Sequence, residues 1–91
     1  MTAPLTLGRV VATPGALKLL SEMGEDPFEY LARHATGDWG ELSGFDRRQN
    51  ERALREGARV LSSYPVGEER RIWIITESDR SITTILLPEE Y

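Results

Sequence analysis

The chain has no cysteine in its 91 residues. That excludes disulfides, thiolate nucleophiles and cysteine-based zinc sites. It has one histidine, His34. A histidine-based metal site would therefore need carboxylate partners, and the acidic residues show no ligand spacing. No apolar run approaches the roughly 20 residues of a membrane helix. The opening Met1-Thr2-Ala3-Pro4-Leu5 lacks a basic stretch followed by an apolar one, so no signal peptide is expected and a cytoplasmic location is. There is no glycine-rich phosphate loop, nucleophile elbow or paired metal-binding motif. No cofactor is expected.

Positive charge is also scarce. The net charge is −4, and it is uneven. Residues 1–43 carry three positive and six negative charges, residues 44–59 five and three, and residues 60–91 three and six. An acidic body with one basic helix argues against generic binding to phosphate backbones, which needs a wide positive field. It suits docking onto another protein, particularly a basic one.

What is present is one small α+β domain, residues 1–91. A chain this short buries only about 60% of its unfolded surface. A surface site is therefore easier to build than an interior cofactor pocket. Ile72-Trp73-Ile74-Ile75-Thr76 and Ile82-Thr83-Thr84-Ile85-Leu86-Leu87 flank the polar turn Glu77-Ser78-Asp79-Arg80-Ser81 and predict a hairpin. Ala58–Tyr64 adds a third strand, giving an antiparallel meander 58–64, 71–77, 82–87, with a turn at 65–69. The run 71–77 is apolar on both faces, which predicts an internal strand whose second face is covered by the N-terminal segment or another subunit. Pro88 ends the last strand.

Three helices precede the meander and are expected to cover one face of it. Thr13-Pro14 opens the first, with Ala16, Leu19, Leu20 and Met23 inward and Gly24 as the stop. Asp26-Pro27-Phe28-Glu29 opens the second, with Phe28, Leu31 and Ala35 as its apolar stripe and Gly37 at its end. The third starts near Ser43 or Asp46 and runs to Glu56 before Gly57. Leu7–Ala12 is a short strand or extended lead-in.

Several residues carry chemistry, each with a plain structural alternative. His34 and Asp38 lie four apart, as an oriented general base would; a histidine near a helix C-terminus also simply suits the helix dipole. Trp39, between Gly37 and Gly40, is either a binding anchor or a lid on the core. Asp46 and Asn50 share the core-facing side of the third helix with Ala53, Leu54 and Gly57. They form either a small polar site under Trp39, or a cap (Asp46) and a tie to the Gly37–Gly44 loop (Asn50). Arg48, Arg52, Arg55 and Arg59 stack along one side, as a stripe for an acidic partner or as a solvated face paired with Glu51 and Glu56. Glu77, Asp79, Arg80 and Ser81 either stabilise a transferring phosphate or do turn chemistry.

The pattern His34-x-x-Gly37-Asp38-Trp39-Gly40, with Asp46, Asn50 and Gly57, followed by Trp73-Ile74-Ile75-Thr76-Glu77-x-Asp79-Arg80-Ser81-x-Thr83-Thr84-x-Leu86-Leu87-Pro88-x-x-Tyr91, resembles a family of small plasmid-related proteins of bacterial mobile elements. The resemblance spans most of the chain from Leu7. It implies an accessory protein, and small acidic domains from such elements are often inhibitors of host defence, of the anti-CRISPR or antirestriction kind. The sequence therefore points to a non-enzymatic protein-binding role, with contacts from Asp38, Trp39, Asp46, Asn50, Arg48, Arg52, Arg55, Glu77, Asp79 and Arg80. A looser likeness to the barnase and toxin-type ribonucleases implies instead a metal-independent enzyme using His34, Tyr64, Arg80 and Thr84. A third alternative is a structural homodimer paired through its sheet faces.

Overall fold

A computed structural model describes residues 5–91. Met1–Pro4, part of the segment expected to cover the second sheet face, lie outside the described residues. The chain runs β1 (Arg9–Ala12), α1 (Pro14–Glu22), α2 (Pro27–Ala35), α3 (Gly44–Glu56), β2 (Val60–Val66), β3 (Arg70–Thr76), β4 (Ile82–Leu86) and a 3-10 turn (Pro88–Glu90). The helices begin where capping chemistry dictates. The side chains of Thr13, Asp26 and Ser43 accept from the N–H groups of Ala16, Phe28 and Asp46 respectively.

The protein is α+β, as expected, but the sheet is mixed. Its four strands lie in the order β1-β4-β3-β2. The meander is antiparallel, with Ser62 opposite Ile74 and Ile74 opposite Ile85. β1 is a true strand that precedes all three helices and joins the far side of β4 in parallel, with Val10 opposite Thr83 and Ala12 opposite Ile85. Neither the antiparallel sheet nor the wholly N-terminal position of the helices stands as expected. Gly8 permits the joint. Its φ is +64°, and an added Cβ would lie 2.4 Å from the carbonyl oxygen of Arg80. A side chain there would hold β1 off the β3–β4 turn.

β2 also begins later and ends later than its predicted range, running through Pro65 to Val66. Proline fits there because β2 is an edge strand.

Even-numbered residues of β2 and β3 share one sheet face with the odd-numbered Thr83 and Ile85 of β4, because the parity changes across the last turn. Tyr64, Ile72, Ile74 and Ile85 on that face pack with Ala16, Leu19 and Leu20 of α1 and Tyr30 and Leu31 of α2. A second cluster joins Trp39, Ala53 of α3 and Val60. Three residues placed inward by the sequence lie outward instead: Met23, Phe28 and Leu54 are exposed, while Tyr30 and His34 are buried. On the opposite face, the ring of Tyr91 meets the ring of Trp73 edge-on at 5.7 Å. Arg59 donates to the Tyr91 hydroxyl. The C-terminal turn thus contributes cover to the second face.

Candidate functional site

Of the polar residues singled out by the sequence, His34 and Asn50 are buried between the helices and the sheet. His34 is fully buried. Its Nδ1 lies 2.5 Å from the Ser62 hydroxyl and its Nε2 2.9 Å from the Thr76 hydroxyl. Thr76 in turn meets Thr83 at 2.7 Å, and Thr83 donates to the carbonyl of Leu7. This chain of bonds fixes the protons. A hydroxyl has one proton, and that of Thr83 goes to Leu7. Thr83 must then accept from Thr76, and Thr76 from Nε2–H of His34. Nδ1 is left bare and accepts from Ser62. That last role belongs to the neutral ring, which burial favours over the imidazolium. Burial, with a smaller push from the Arg80 charge, lowers its pKa to about 4.

Asp38 does not pair with His34. Its carboxylate takes the Arg33 Nε–H at 2.7 Å, and that guanidinium holds the Asp38 pKa below the usual carboxylate value. Arg33 also lies over the Tyr64 ring, 4.5 Å from its centroid. Tyr64 is itself buried and donates to the Asp38 carbonyl. Burial pushes its hydroxyl up to about 12. Trp39, only 6% exposed, is a lid and not an open anchor. Beside it, lined by His34, Thr36, Gly37, Leu54 and others, is a pocket of about 30 Å³, room for one or two waters.

Asn50 is buried, but it does not tie down the Gly37–Gly44 loop. Its side-chain amide donates to the Leu61 carbonyl and its oxygen accepts the Leu61 N–H. It acts as a one-residue strand along the outer edge of β2. Just beyond, Trp39 and Glu41 bond Ser63 through their backbones. Replacing Asn50 by alanine strands a donor and an acceptor of Leu61 together, and is expected to cost about 2–3 kcal/mol in chemical unfolding. Asp46, by contrast, is exposed in the first turn of α3. No polar pair forms under Trp39.

Arg80 is the one described non-glycine residue with positive φ, at 62°. Its guanidinium donates to the carbonyls of Ala58, Glu77 and Ala53, so it closes the C-terminal end of α3 onto the hairpin turn. Asp79 turns back on Ser81, through both its N–H and its hydroxyl. Glu77 pairs with Arg59 at 3.4 Å. Those groups do turn chemistry. On α3, Arg52 pairs with Glu56, whereas Glu51 and Arg55 form no ion pair among the described residues. Arg48 and Arg55 remain exposed.

The four residues of the ribonuclease reading do not face one open site. His34 and Tyr64 are sealed in the core and Arg80 is spent on backbone carbonyls. Thr84, one residue beyond Thr83, faces the other side of the sheet. Among the described residues, no group of three or more acidic or histidine side chains is placed to hold a metal, and no helix is long and apolar enough to cross a membrane.

The sequence reading missed two wide-open apolar side chains. Both phenylalanines of the chain stand in solvent, Phe28 at 73% and Phe45 at 61% exposure. Each is the second residue of its helix, after a cap: Asp26-Pro27-Phe28 and Ser43-Gly44-Phe45. The shared cap-plus-two position was the signal available, because that position precedes the first inward residue of each helix. No protein-family model, curated protein or solved structure matches this chain.

Proposed function

We propose that this chain is a non-enzymatic accessory protein of a bacterial mobile element, acting in the cytoplasm by docking onto another protein as an inhibitor of host defence of the anti-CRISPR or antirestriction kind. The observation that carries the reading is the exposure of both phenylalanines in a domain with so thin a core. A small protein gains stability by burying such rings. Keeping both outside favours a partner that buries them, since aromatic anchors dominate the energetics of interfaces. Glu29 beside Phe28 suits a partner with a basic surface at that point. The mobile-element setting and the inhibitor role come from the sequence resemblance. The non-catalytic reading is supported by His34, Tyr64 and Arg80, whose polar atoms are taken up by hydrogen bonds within the fold.

Serine at both positions is expected to leave unfolding within about 0.5 kcal/mol of the parent. Capture of a bacterial host partner by the immobilised protein should fall by about 30-fold or more, the size of one hot-spot loss. The same variant should lose protection of incoming plasmid DNA in a host carrying a CRISPR or restriction system. Undiminished capture and protection would contradict the reading.

A further inference from the structure

The two edges of the sheet are finished differently. On the outer edge of β2, Asn50 and the Trp39–Glu41 backbone occupy the free groups of Leu61 and Ser63, and Pro65 has no N–H to offer. On β1, the backbone bonds to β4 are made by alternate residues: Arg9 N–H donates to Ser81, and Thr13 N–H to Ile85. The N–H and C=O groups of Val10 and Ala12 point the other way and meet no partner among the described residues. Such an edge is a template for strand addition. The side chains carry a second asymmetry. Arg9 forms no ion pair among the described residues. Thr13 donates to the Glu90 carboxylate at 2.6 Å.

We propose that β1 pairs with β1 of a second copy of this chain, antiparallel about a two-fold axis normal to the sheet, with Val11 against Val11. Opposed residues then lie on the same face, as sheet pairing requires. Val10 of one copy and Ala12 of the other exchange both backbone bonds, and the two-fold repeats the exchange. Arg9 falls opposite Thr13 of the second copy, next to the carboxylate that Thr13 holds, and this complementary pair forms twice. An unrelated strand would match the backbone groups alone. A second copy matches the charge as well. The result is one continuous eight-stranded sheet, and the exposed Val10 is covered. The pairing stands independently of the partner proposed above.

The test is the mass in solution by sedimentation or light scattering from about 1 μM to about 1 mM, the range of ordinary self-association constants. A two-chain mass is expected. Val10→Pro removes an N–H that points out of the sheet. It should weaken the dimer at least ~100-fold while leaving the circular dichroism and unfolding midpoint unchanged. Because the chain lacks cysteine, Val11→Cys gives a clean second readout: oxidation should link two chains, whereas Val10→Cys should not. A one-chain mass across the whole range would overturn the proposal. So would a two-chain mass that survives Val10→Pro, or linkage through Val10→Cys in place of Val11→Cys.

Discussion

Replacing Gly40 by alanine is expected to cost about 4 kcal/mol, enough to lower the unfolding midpoint by ~15–30 °C in a domain of this size. Gly40 has φ +74°, and a Cβ built there would lie only 2.1 Å from the Ser63 carbonyl oxygen. The Cβ is fixed to the main chain and the oxygen it meets is backbone, so nothing flexible can give way. The left-handed conformation alone costs an alanine about 1–2 kcal/mol. Relieving the overlap then means lifting the loop off β2. That breaks the Ser63 N–H to Trp39 carbonyl bond and the Glu41 N–H to Ser63 carbonyl bond, each worth about 1 kcal/mol. It also uncovers part of Trp39. Gly57 is the natural control. It has nearly the same φ, +73°, but nothing lies within 4 Å of its added Cβ. Gly57→Ala should therefore cost only the conformational part, about 1 kcal/mol. Thermal unfolding of the two variants side by side separates close approach from backbone strain. Equal losses would mean that the 39–41 loop is not seated on β2.

The second large effect is a pH dependence that belongs to one residue. The imidazole of His34 has a folded pKa of about 4, below the ordinary 6.5 of an unfolded chain. Between those values the unfolded state binds a proton that the folded state refuses. The contribution of His34 is thus fully present above pH 6.5 and is lost as pH falls from there through about 4. With a shift of roughly 2.5 units at 1.36 kcal/mol each, the loss comes to about 3 kcal/mol. The carboxylates held low by their partners, Asp38, Asp79 and Glu90, lose their contributions as pH falls below the ordinary carboxylate range. The interval above that range is left to the only histidine. Urea unfolding from pH 7 to pH 4 should show the slope. His34→Leu should lower stability at pH 7 by about 2 kcal/mol, because the Ser62 hydroxyl loses its acceptor, and should remove the slope above pH 4.5. A slope that persists in the variant would place the proton elsewhere.

The local part of this fold was legible in the sequence. The β-branched runs 72–76 and 82–87 have no good helical alternative, and caps such as Thr13-Pro14 and Asp26-Pro27 carry their own stereochemistry. What was not legible depends on contacts remote in sequence. Nothing within Arg9–Ala12 announces a parallel partner more than 70 residues away, so the mixed sheet went unseen. On helix α2 the buried stripe is turned from the expected one, keeping Leu31 but replacing Phe28 with Tyr30 and His34, for a related reason. Phe28, Leu31 and Ala35 fit a helical period, but so do Pro27, Tyr30, Leu31 and His34, and hydrophobicity alone prefers the former. The deciding feature was on the other side of the contact. Ser62, Thr76 and Thr83 form a hydroxyl-bearing track on one sheet face, and a buried imidazole satisfies it better than a phenyl ring would. Asn50 was recognised as an inward polar residue, but its partner was a strand edge with no mark in the sequence.

That view of His34, a neutral strut whose two nitrogens are committed to strand hydroxyls, is the centre of this account, since it leaves the imidazole no free nitrogen for the role that the ribonuclease reading gave it. Nitrogen-15 NMR of the imidazole tests it most directly. The account predicts a single Nε2–H tautomer, an Nδ1 that stays unprotonated down to about pH 4, and slow exchange of the ring N–H with water. A ring that titrates near pH 6.5 with both nitrogens exchanging rapidly would contradict it, and would return His34 to the list of groups able to do chemistry.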